Sequence, residues 1–166
     1  MAQRESEARL AGIIATAMDA IISIDGDERI TVYNRAAEQI FGYPAAAMLG
    51  QPLSRLLPEA FRPQHHAQVQ GFGATGVTAR HKGALPNLSG RRADGTVFPI
   101  EAAISQNTVA GRKYYTVILR DIGERRRMEQ ALADSEAALR ALFAAMTDVI
   151  VVLDADGRYL EIAPTN

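Results

Sequence analysis

The sequence YYTVILRDI, from Tyr114 to Ile122, continues through Gly123 into ERRRMEQALADSEAALRALFAAM, from Glu124 to Met146. The first part alternates between apolar and polar residues, which is typical of a half-buried strand. The second part carries apolar residues three and four positions apart, which is typical of a helix. A core strand that leads into an exposed helix is a mechanical connection, because a change in the core can move the helix.

Composition limits the possible functions of the 166-residue chain. Apolar residues make up 48% and charged residues 22%, the formal net charge is −1, and cysteine is absent. We therefore expect a cytoplasmic domain with a real hydrophobic core and no general attraction to nucleic acid. Without cysteine, disulfides, thiolate metal sites and cysteine nucleophiles are excluded. No apolar run approaches the ~20 residues of a membrane span.

The first half of the chain predicts a hairpin followed by short helices. Ala20–Ile24 and Arg29–Tyr33 read as strands joined by the turn Asp25-Gly26-Asp27, a better interpretation of those acids than a calcium loop. Asn34–Phe41 reads as a helix capped by Asn34. A further helix is expected to begin near Pro63, to run toward Phe72 and to be broken by Gly71, Gly73 and Gly76.

The second half predicts three consecutive strands. Leu88–Arg92 and Thr96–Gln106 flank Asp94-Gly95, a strong hairpin signal, and Ala110-Gly111 joins Ile104 to Tyr115. Two strands, short helices and three strands indicate an α+β domain with a five-stranded antiparallel sheet and helices on one face. We divide the chain into an N-terminal amphipathic helix (1–18), this domain (19–122), a linker helix (123–146) and a C-terminal segment (147–166).

The chain also repeats itself. Shifted by 129 positions, Ser6, Glu7, Ala8 and Leu10 match Ser135, Glu136, Ala137 and Leu139, and Ala15, Asp19, Ile21, Asp25, Asp27 and Arg29 match Ala144, Asp148, Ile150, Asp154, Asp156 and Arg158. So long a period corresponds to one domain plus one linker. The segment 147–166 is therefore predicted to be the start of a second, truncated copy of the domain.

Several passages together resemble the PAS sensor family. They are VYNRAAEQIFGY (Val32–Tyr43), MLGQPLSRLLPEAFR (Met48–Arg62), RRADGTVFPIEAAIS (Arg91–Ser105) and YYTVILRDI followed by ERRR. The resemblance implies the PAS sheet, with strand order 2-1-5-4-3 and helices that enclose a pocket on one face. It also implies a small-molecule or packing signal, a homodimer, and an output domain in the same chain, such as a histidine kinase or a cyclic-dinucleotide enzyme.

His65 is the residue with the most specific chemical implication. It shares a helix face with Val69 and Phe72, so its ring is expected to point inward. It also occupies the position that resembles the axial haem ligand of oxygen-sensing PAS domains, although the arginine that contacts oxygen in those sensors falls near Pro86 here. His66, one residue on, is expected to face solvent. The residues otherwise identify no cofactor.

The exit from the last strand is the predicted point of signal transmission. The family usually has Asp-Ile-Thr here, where this chain has Asp121, Ile122 and Gly123. Asp121 is expected to cap the following helix, with Glu124 completing a capping-box-like pair. Glycine in place of threonine adds backbone freedom at the joint.

The linker helix carries a heptad-like seam of apolar residues with one polar position at Ser135: Met128, Leu132, Leu139, Leu142 and Met146. Such spacing favours a dimeric coiled coil. The alternative is a helix packed on its own domain, which requires a broader apolar stripe.

No enzyme signature is present in the sequence, so catalysis would lie outside it. Three hypotheses follow: a non-catalytic PAS sensor module that relays pocket changes to the linker helix, a ligand-free PAS dimerisation module with a closed core, and a haem-based gas sensor that uses His65. None of them involves nucleic acid, because Arg125-Arg126-Arg127 is bracketed by acids and is typical of a solvated helix face.

Overall fold

The computed structural model describes residues 2–75, 79–80, 88–145 and 150–163 of the chain. They form two compact units, Met1–Gly123 and Glu124–Asn166. The described helices and strands of the first unit are α1 (Ala2–Thr16), β1 (Ala20–Asp25), β2 (Ile30–Tyr33), α2 (Arg35–Phe41), α3 (Ala45–Met48), α4 (Arg62–Ala74), β3 (Ala79–Arg80), β4 (Ser89–Arg91), β5 (Val97–Val109) and β6 (Arg112–Asp121). Single 3₁₀ turns cover Leu53–Leu56 and Glu59–Phe61.

The strands form an antiparallel sheet in the order β2-β1-β6-β5-β3, with β4 also paired to β5. This confirms the predicted α+β class and the five-position order 2-1-5-4-3. The edge position beyond β5 is occupied by two short strands instead of one. Ala79 pairs with Ser105 near the middle of β5, whereas Gly90 pairs with Phe98 near its start. A two-residue strand such as β3 is too short to produce an alternating pattern, so it was not predicted.

The turns that connect the strands use the predicted residues. Gly95 has φ 88°, and Ala110 and Gly111 have φ 49° and 77°, so both hairpins turn through left-handed backbone conformations. In the first hairpin, Asp25 Oδ1 accepts hydrogen bonds from the N–H groups of Asp27 (3.0 Å) and Arg29 (2.9 Å). That carboxylate therefore holds the turn, as expected from the sequence.

The core lies between the inner face of the sheet and helices α2 to α4. Alternate residues of β1 and β6 are buried there, because successive side chains of a strand point to opposite faces. Those inner-face residues pack against α2, α3 and the first 3₁₀ turn, and the least exposed large side chains are Phe41, Ile22, Ile30, Met48 and Leu56.

Asn34 joins three elements at the edge of this core. Its side chain is buried and takes part in four hydrogen bonds. Oδ1 accepts from the N–H of Ala37, which confirms Asn34 as the cap of α2, and from the N–H of Ile21. Nδ2 donates to the carbonyl oxygens of Ile14 and Asp19 at 3.0 and 3.1 Å. One amide thus fixes the end of α1 and the starts of β1 and α2.

Helix α4 continues further than the sequence predicted. The expected breaks at Gly71 and Gly73 are wrong, since α4 is unbroken from Arg62 to Ala74, and the third expected break, Gly76, lies outside the described residues. Gly73 serves close packing instead: a Cβ at this position would overlap the Tyr115 hydroxyl and lie 3.3 Å from the ring carbon Cζ. The end of α4 is also held by Gln106 Nε2, which donates to the Phe72 carbonyl at 3.0 Å, and by Lys113 Nζ, which donates to the Gly73 carbonyl.

The second unit contains helix α5 (Gly123–Ala145, whose first residue belongs to the first unit) and strands β7 (Ile150–Leu153) and β8 (Tyr159–Ala163). The two strands pair antiparallel. Residues 146–149 and 164–166, including the predicted seam residue Met146, lie outside the described residues. Among the helices described, none is long and apolar enough to cross a membrane.

Candidate functional site

A cavity of about 570 Å³ lies between the sheet and the helices of the first unit. Its sheet wall is formed by inner-face residues of β1, β5 and β6: Ile22, Ile24, Ile100, Ala102, Val117 and Leu119. Its opposite wall is formed mainly by Leu53, Leu56, His65, Gln68, Val69 and Phe72. The volume falls within the ~300–1,000 Å³ of typical small-molecule sites.

The cavity is partly open to solvent and its described wall is mainly apolar. A wall of this composition suits a small molecule with a large apolar surface.

His65 lines this cavity from α4, as the helical spacing predicted. Its side chain is 23% exposed, and its Nδ1 lies 3.8 Å from Oε2 of Glu28, on the turn between β1 and β2. Burial lowers the pKa of His65 below its usual value, and the Glu28 carboxylate opposes that shift only in part. The ring is therefore neutral near pH 7, the form that accepts hydrogen bonds or binds metals.

His66 has a partner that the sequence did not reveal. Its side chain is 67% exposed, in agreement with the expected direction, but Nδ1 contacts Oε1 of Glu28. Two adjacent imidazoles of α4 thus share one carboxylate, whose own side chain is only 15% exposed. The cluster links the first hairpin to the helix that forms the cavity wall.

Glu28 occupies an unusual backbone conformation. Its φ is 59°, in the left-handed region that favours glycine. The conformation is held by backbone hydrogen bonds from the Glu28 N–H to the Asp25 carbonyl and from the Leu53 N–H to the Glu28 carbonyl, both 3.0 Å. Strained residues of this kind cluster at functional sites.

The β7–β8 hairpin has the same type of turn without that backbone strain, because a glycine occupies its left-handed position. In β7–β8, Asp154 Oδ1 accepts from the N–H groups of Asp156 (2.9 Å) and Arg158 (2.8 Å), matching the bonds of Asp25. Gly157, at φ 80°, stands where the first hairpin has Glu28. Both hairpins also carry a register irregularity, at Ser23/Ile24 and at Val152/Leu153, which are 129 positions apart. In the sequence, the contrast between Glu28 and Gly157, which are 129 positions apart, was the signal that marked Glu28 as unusual.

At the other end of β6, Asp121 connects the strand to the start of α5. Its Oδ1 accepts a hydrogen bond from the Gly123 N–H at 2.7 Å, and its Oδ2 contacts the Arg92 guanidinium. Glu124 has no hydrogen bond to Asp121 in the part of the chain that is described, so the expected capping-box pair does not form. A Cβ on Gly123 would lie 3.1 Å from Asp121 Oδ1, so glycine leaves room for this short contact.

Arg92 was missed by the sequence reasoning, although it lies in the RRADG motif. Besides Asp121, its guanidinium donates to the Ile40 carbonyl near the end of α2 and lies 3.9 Å from the centre of the Phe98 ring. A guanidinium over an aromatic face is attracted by the ring quadrupole. Arg92 therefore ties the start of α5, the end of α2 and the aromatic core together.

The predicted seam of α5 is exposed along its described length. Met128, Leu132, Leu139 and Leu142 are 51–64% exposed, and α5 has no buried residue. An apolar stripe on a helix of 23 residues normally packs against another surface. Ion pairs on α5, such as Arg125 with Glu129 and Arg140 with Glu136, are exposed and contribute little.

The fold, a curled antiparallel sheet with helices over a cavity, defines a class of small sensory domains, and comparison with known proteins agrees. The family model described as "PAS fold" matches residues 8–135. The chain belongs to the PAS family. A crystal structure of the PAS domain of an HTR-like protein from Haloarcula marismortui covers 72% of this chain and 94% of its own, with TM-score 0.58 and 23% identity, which shows the fold.

Two curated relatives are named as sensor proteins. Sensor protein FixL of Bradyrhizobium diazoefficiens is 31% identical over 138 residues, which is 83% of this chain and 27% of FixL. Oxygen sensor protein DosP of Escherichia coli is 29% identical over 104 residues, which is 63% of this chain and 13% of DosP. The chain thus spans about a quarter or less of the relatives it matches. The PAS domain is a sensory and non-catalytic module of such proteins.

Proposed function

We propose that this chain is the sensor module of a larger signalling protein, in which occupancy of the cavity changes the packing of β6 and thereby the start of α5. One observation carries the proposal: β6 both lines the cavity and ends in Asp121. Tyr115, Val117 and Leu119 line the cavity, and Asp121 follows at the same two-residue spacing. Because strand residues two apart share a face, an occupant that displaces Val117 or Leu119 also acts on Asp121.

Arg92 gives the signal a second route. The residues beside it, Gly90 and Phe41, line the cavity, and Phe41 packs edge-on against Phe98 with ring centres 5.5 Å apart. A Cβ on Gly90 would come within 3.0 Å of both rings, so this corner has no spare space. A ligand that shifts Phe41 must move Phe98 and the guanidinium stacked on it. Arg92 would then pull on, or release, Asp121.

We also propose an output domain, a dimer interface and a second PAS copy for the larger protein. The output domain would be a histidine kinase or a cyclic-dinucleotide enzyme in the same chain, at a cytoplasmic location. The exposed seam of α5 supports a homodimeric coiled coil. The matching turns of the two hairpins support residues 147–166 as the start of a second PAS copy, with α5 shared as the output of one sensor and the input of the next.

The relay is tested by Asp121→Asn in the full-length protein, with Asp27→Asn, an exposed turn acid, as the matched control. Removing the charge weakens the contacts with Arg92 and Gly123, which are of a kind worth about 1.5–3 kcal/mol. We expect the domain to stay folded, by circular dichroism, while signal-dependent output changes in Asp121→Asn and not in the control. Unchanged output in a folded Asp121→Asn protein would refute the relay.

A haem-based gas sensor is a second candidate, favoured by His65 in the cavity wall and by the relative named an oxygen sensor. The fit is partial. Neutral His65 has Nδ1 3.8 Å from the Glu28 carboxylate, which is longer than the hydrogen bond that usually supports a metal-binding histidine. Haem would supply reversible gas binding at its iron. Its propionates, however, find no lysine or arginine among the described lining residues. A Soret band after reconstitution that is lost in His65→Leu would establish this candidate, and no band would eliminate it.

A ligand-free dimerisation module is the remaining alternative. It predicts a closed core, and a 570 Å³ cavity does not support that expectation. The exposed α5 seam is compatible with it, because dimerisation and sensing can coexist in one chain. Native mass spectrometry separates the two: a small molecule that co-purifies with the protein supports sensing, and a ligand-free dimer whose core excludes added ligands supports the alternative.

A further inference from the structure

We infer that the cavity takes an uncharged, mainly apolar molecule that donates a hydrogen bond to His65, and that Glu28 is the positioning residue for that imidazole. The inference rests on the proposed sensor function and specifies its ligand class. It depends on three features of the cavity: its charge, the distribution of its polar groups, and the backbone of Glu28.

The described part of the cavity wall disfavours ionic ligands. Among the described lining residues there is no aspartate, glutamate, lysine or arginine. A buried ligand charge without a counter-charge is strongly unfavourable. Glu28, whose Oε2 lies 3.8 Å from His65 Nδ1, would also repel an anion that approached the imidazole. We therefore expect an uncharged occupant.

Polar side chains are few in the cavity wall, which is mainly isoleucine, valine and leucine. His65 and Gln68 lie on α4, and Ser89 lies on β4. The sheet also contributes Tyr115 and Thr116, but the Tyr115 hydroxyl packs against Gly73 and Thr116 Oγ1 is hydrogen-bonded to Ser23 Oγ at 2.8 Å. Binding sites of this type use a large apolar surface for affinity and a few polar groups for orientation. The ligand should therefore have an apolar body that covers the sheet and one polar group that faces α4.

Glu28 determines what that polar group must be. The Glu28 carboxylate lies 3.8 Å from Nδ1, beyond hydrogen-bonding distance, but its negative charge favours the neutral tautomer that keeps the proton on Nδ1 over the tautomer with a lone pair there. Nε2 of His65 is then a hydrogen-bond acceptor. A ligand that pairs with it needs a donor, such as a hydroxyl or an N–H group.

The backbone conformation of Glu28 agrees with this role for its side chain. The equivalent turn of the second hairpin places glycine at the left-handed position, with the same hydrogen bonds around it. A non-glycine residue is less stable in that conformation. Glutamate persists at this position even though the turn forms without it, which agrees with a role for the carboxylate in holding His65 and His66.

The test is equilibrium dialysis of the 166-residue chain at neutral pH with four probes of one shape: 1-naphthol, naphthalene, 1-naphthoate and protonated 1-naphthylmethylamine. We expect 1-naphthol to bind best, and naphthalene, which lacks the donor, to bind about three- to tenfold more weakly. The two ions should bind at least about a hundredfold more weakly than naphthol.

Variants assign the hydrogen bond to its residues. His65→Leu should reduce naphthol binding to that of naphthalene and leave naphthalene unchanged. Glu28→Gly, which relieves backbone strain and so keeps the fold, should reduce the naphthol preference. Gln64→Leu is the matched control, since this exposed residue of α4 is not among the described lining residues of the cavity, and it should leave the preference unchanged.

Three results would overturn the inference: ions that bind as well as naphthol, equal affinity for naphthol and naphthalene in the unmodified chain, or no binding of any probe. None of these results decides the sensor proposal, which is tested separately by the output of Asp121→Asn in the full-length protein. A ligand class that is wrong and a relay that is wrong are therefore distinguishable.

Discussion

Asn34→Ala is the substitution for which the structure predicts the largest effect outside the apolar core. The Ala37 N–H loses its cap acceptor, which is worth about 1 kcal/mol. The Ile21 N–H, at 2.9 Å from Oδ1, is left without that acceptor, and an unsatisfied buried donor costs about 1–3 kcal/mol. The expected loss of unfolding free energy is therefore about 3 kcal/mol. For a domain of this size, that corresponds to a melting temperature lower by about 12 °C.

Calorimetry of the 166-residue chain measures this loss, and Asn107→Ala is the matched control. Asn107 is exposed on β5, so its truncation should change stability by less than about 0.5 kcal/mol. Asn34→Asp separates the two halves of the network. It keeps the acceptor for Ala37 and Ile21 but places a carboxylate oxygen against the carbonyls of Ile14 and Asp19.

We expect Asn34→Asp to keep α2 capped while the end of α1 loosens, which hydrogen exchange would show as faster exchange in the last turn of α1 alone. If Asn34→Ala and Asn107→Ala lowered the melting temperature equally, the four-bond network would not stabilise the fold, and the reasoning would be refuted.

Two further predictions concern α4. Gly73→Ala should destabilise the domain by about 1–3 kcal/mol, because the new Cβ overlaps the Tyr115 hydroxyl; in a double-mutant cycle Tyr115→Phe should recover part of the loss, and strict additivity would contradict the predicted clash. The second follows from burial of His65, which lowers its pKa in the folded state. The unfolded chain then binds the proton more readily, so stability should fall as pH drops through about 6.5. Thermal melts of His65→Leu should lack this part of the pH dependence; identical pH profiles for the two proteins would contradict the assignment.

The sequence was sufficient for the hairpins because their signals are local, whereas the strand order that places β1 beside β6 was implied only by the resemblance to the PAS family. The turns at Asp94-Gly95 and Ala110-Gly111 and the alternation of β6 specify pairing between neighbours in the chain, and the structure has those pairs. The helical spacing of His65 likewise placed it in the cavity wall. These predictions needed no knowledge of distant contacts.

The features that were missed depend on residues far apart in the chain. Gly73 looked like a helix breaker, but its role is set by Tyr115, which lies on a strand 42 positions later. Arg92 ended a predicted strand and Glu28 followed a predicted turn, and only the folded chain brings them to Asp121 and His65. Propensity describes a segment by itself, so contacts of this kind override it.

Because Glu28 has a positive φ, the residue type at position 28 is informative when members of the family are compared. A residue kept against its backbone preference reverts to glycine easily once its side chain is no longer needed, because the change relieves strain. Relatives with glycine at this turn position should therefore have cavities that do not distinguish hydrogen-bond donors from plain hydrocarbons. Relatives that keep an acid there together with the histidine of α4 should share the preference, so one column of a sequence comparison would sort these domains by what they detect.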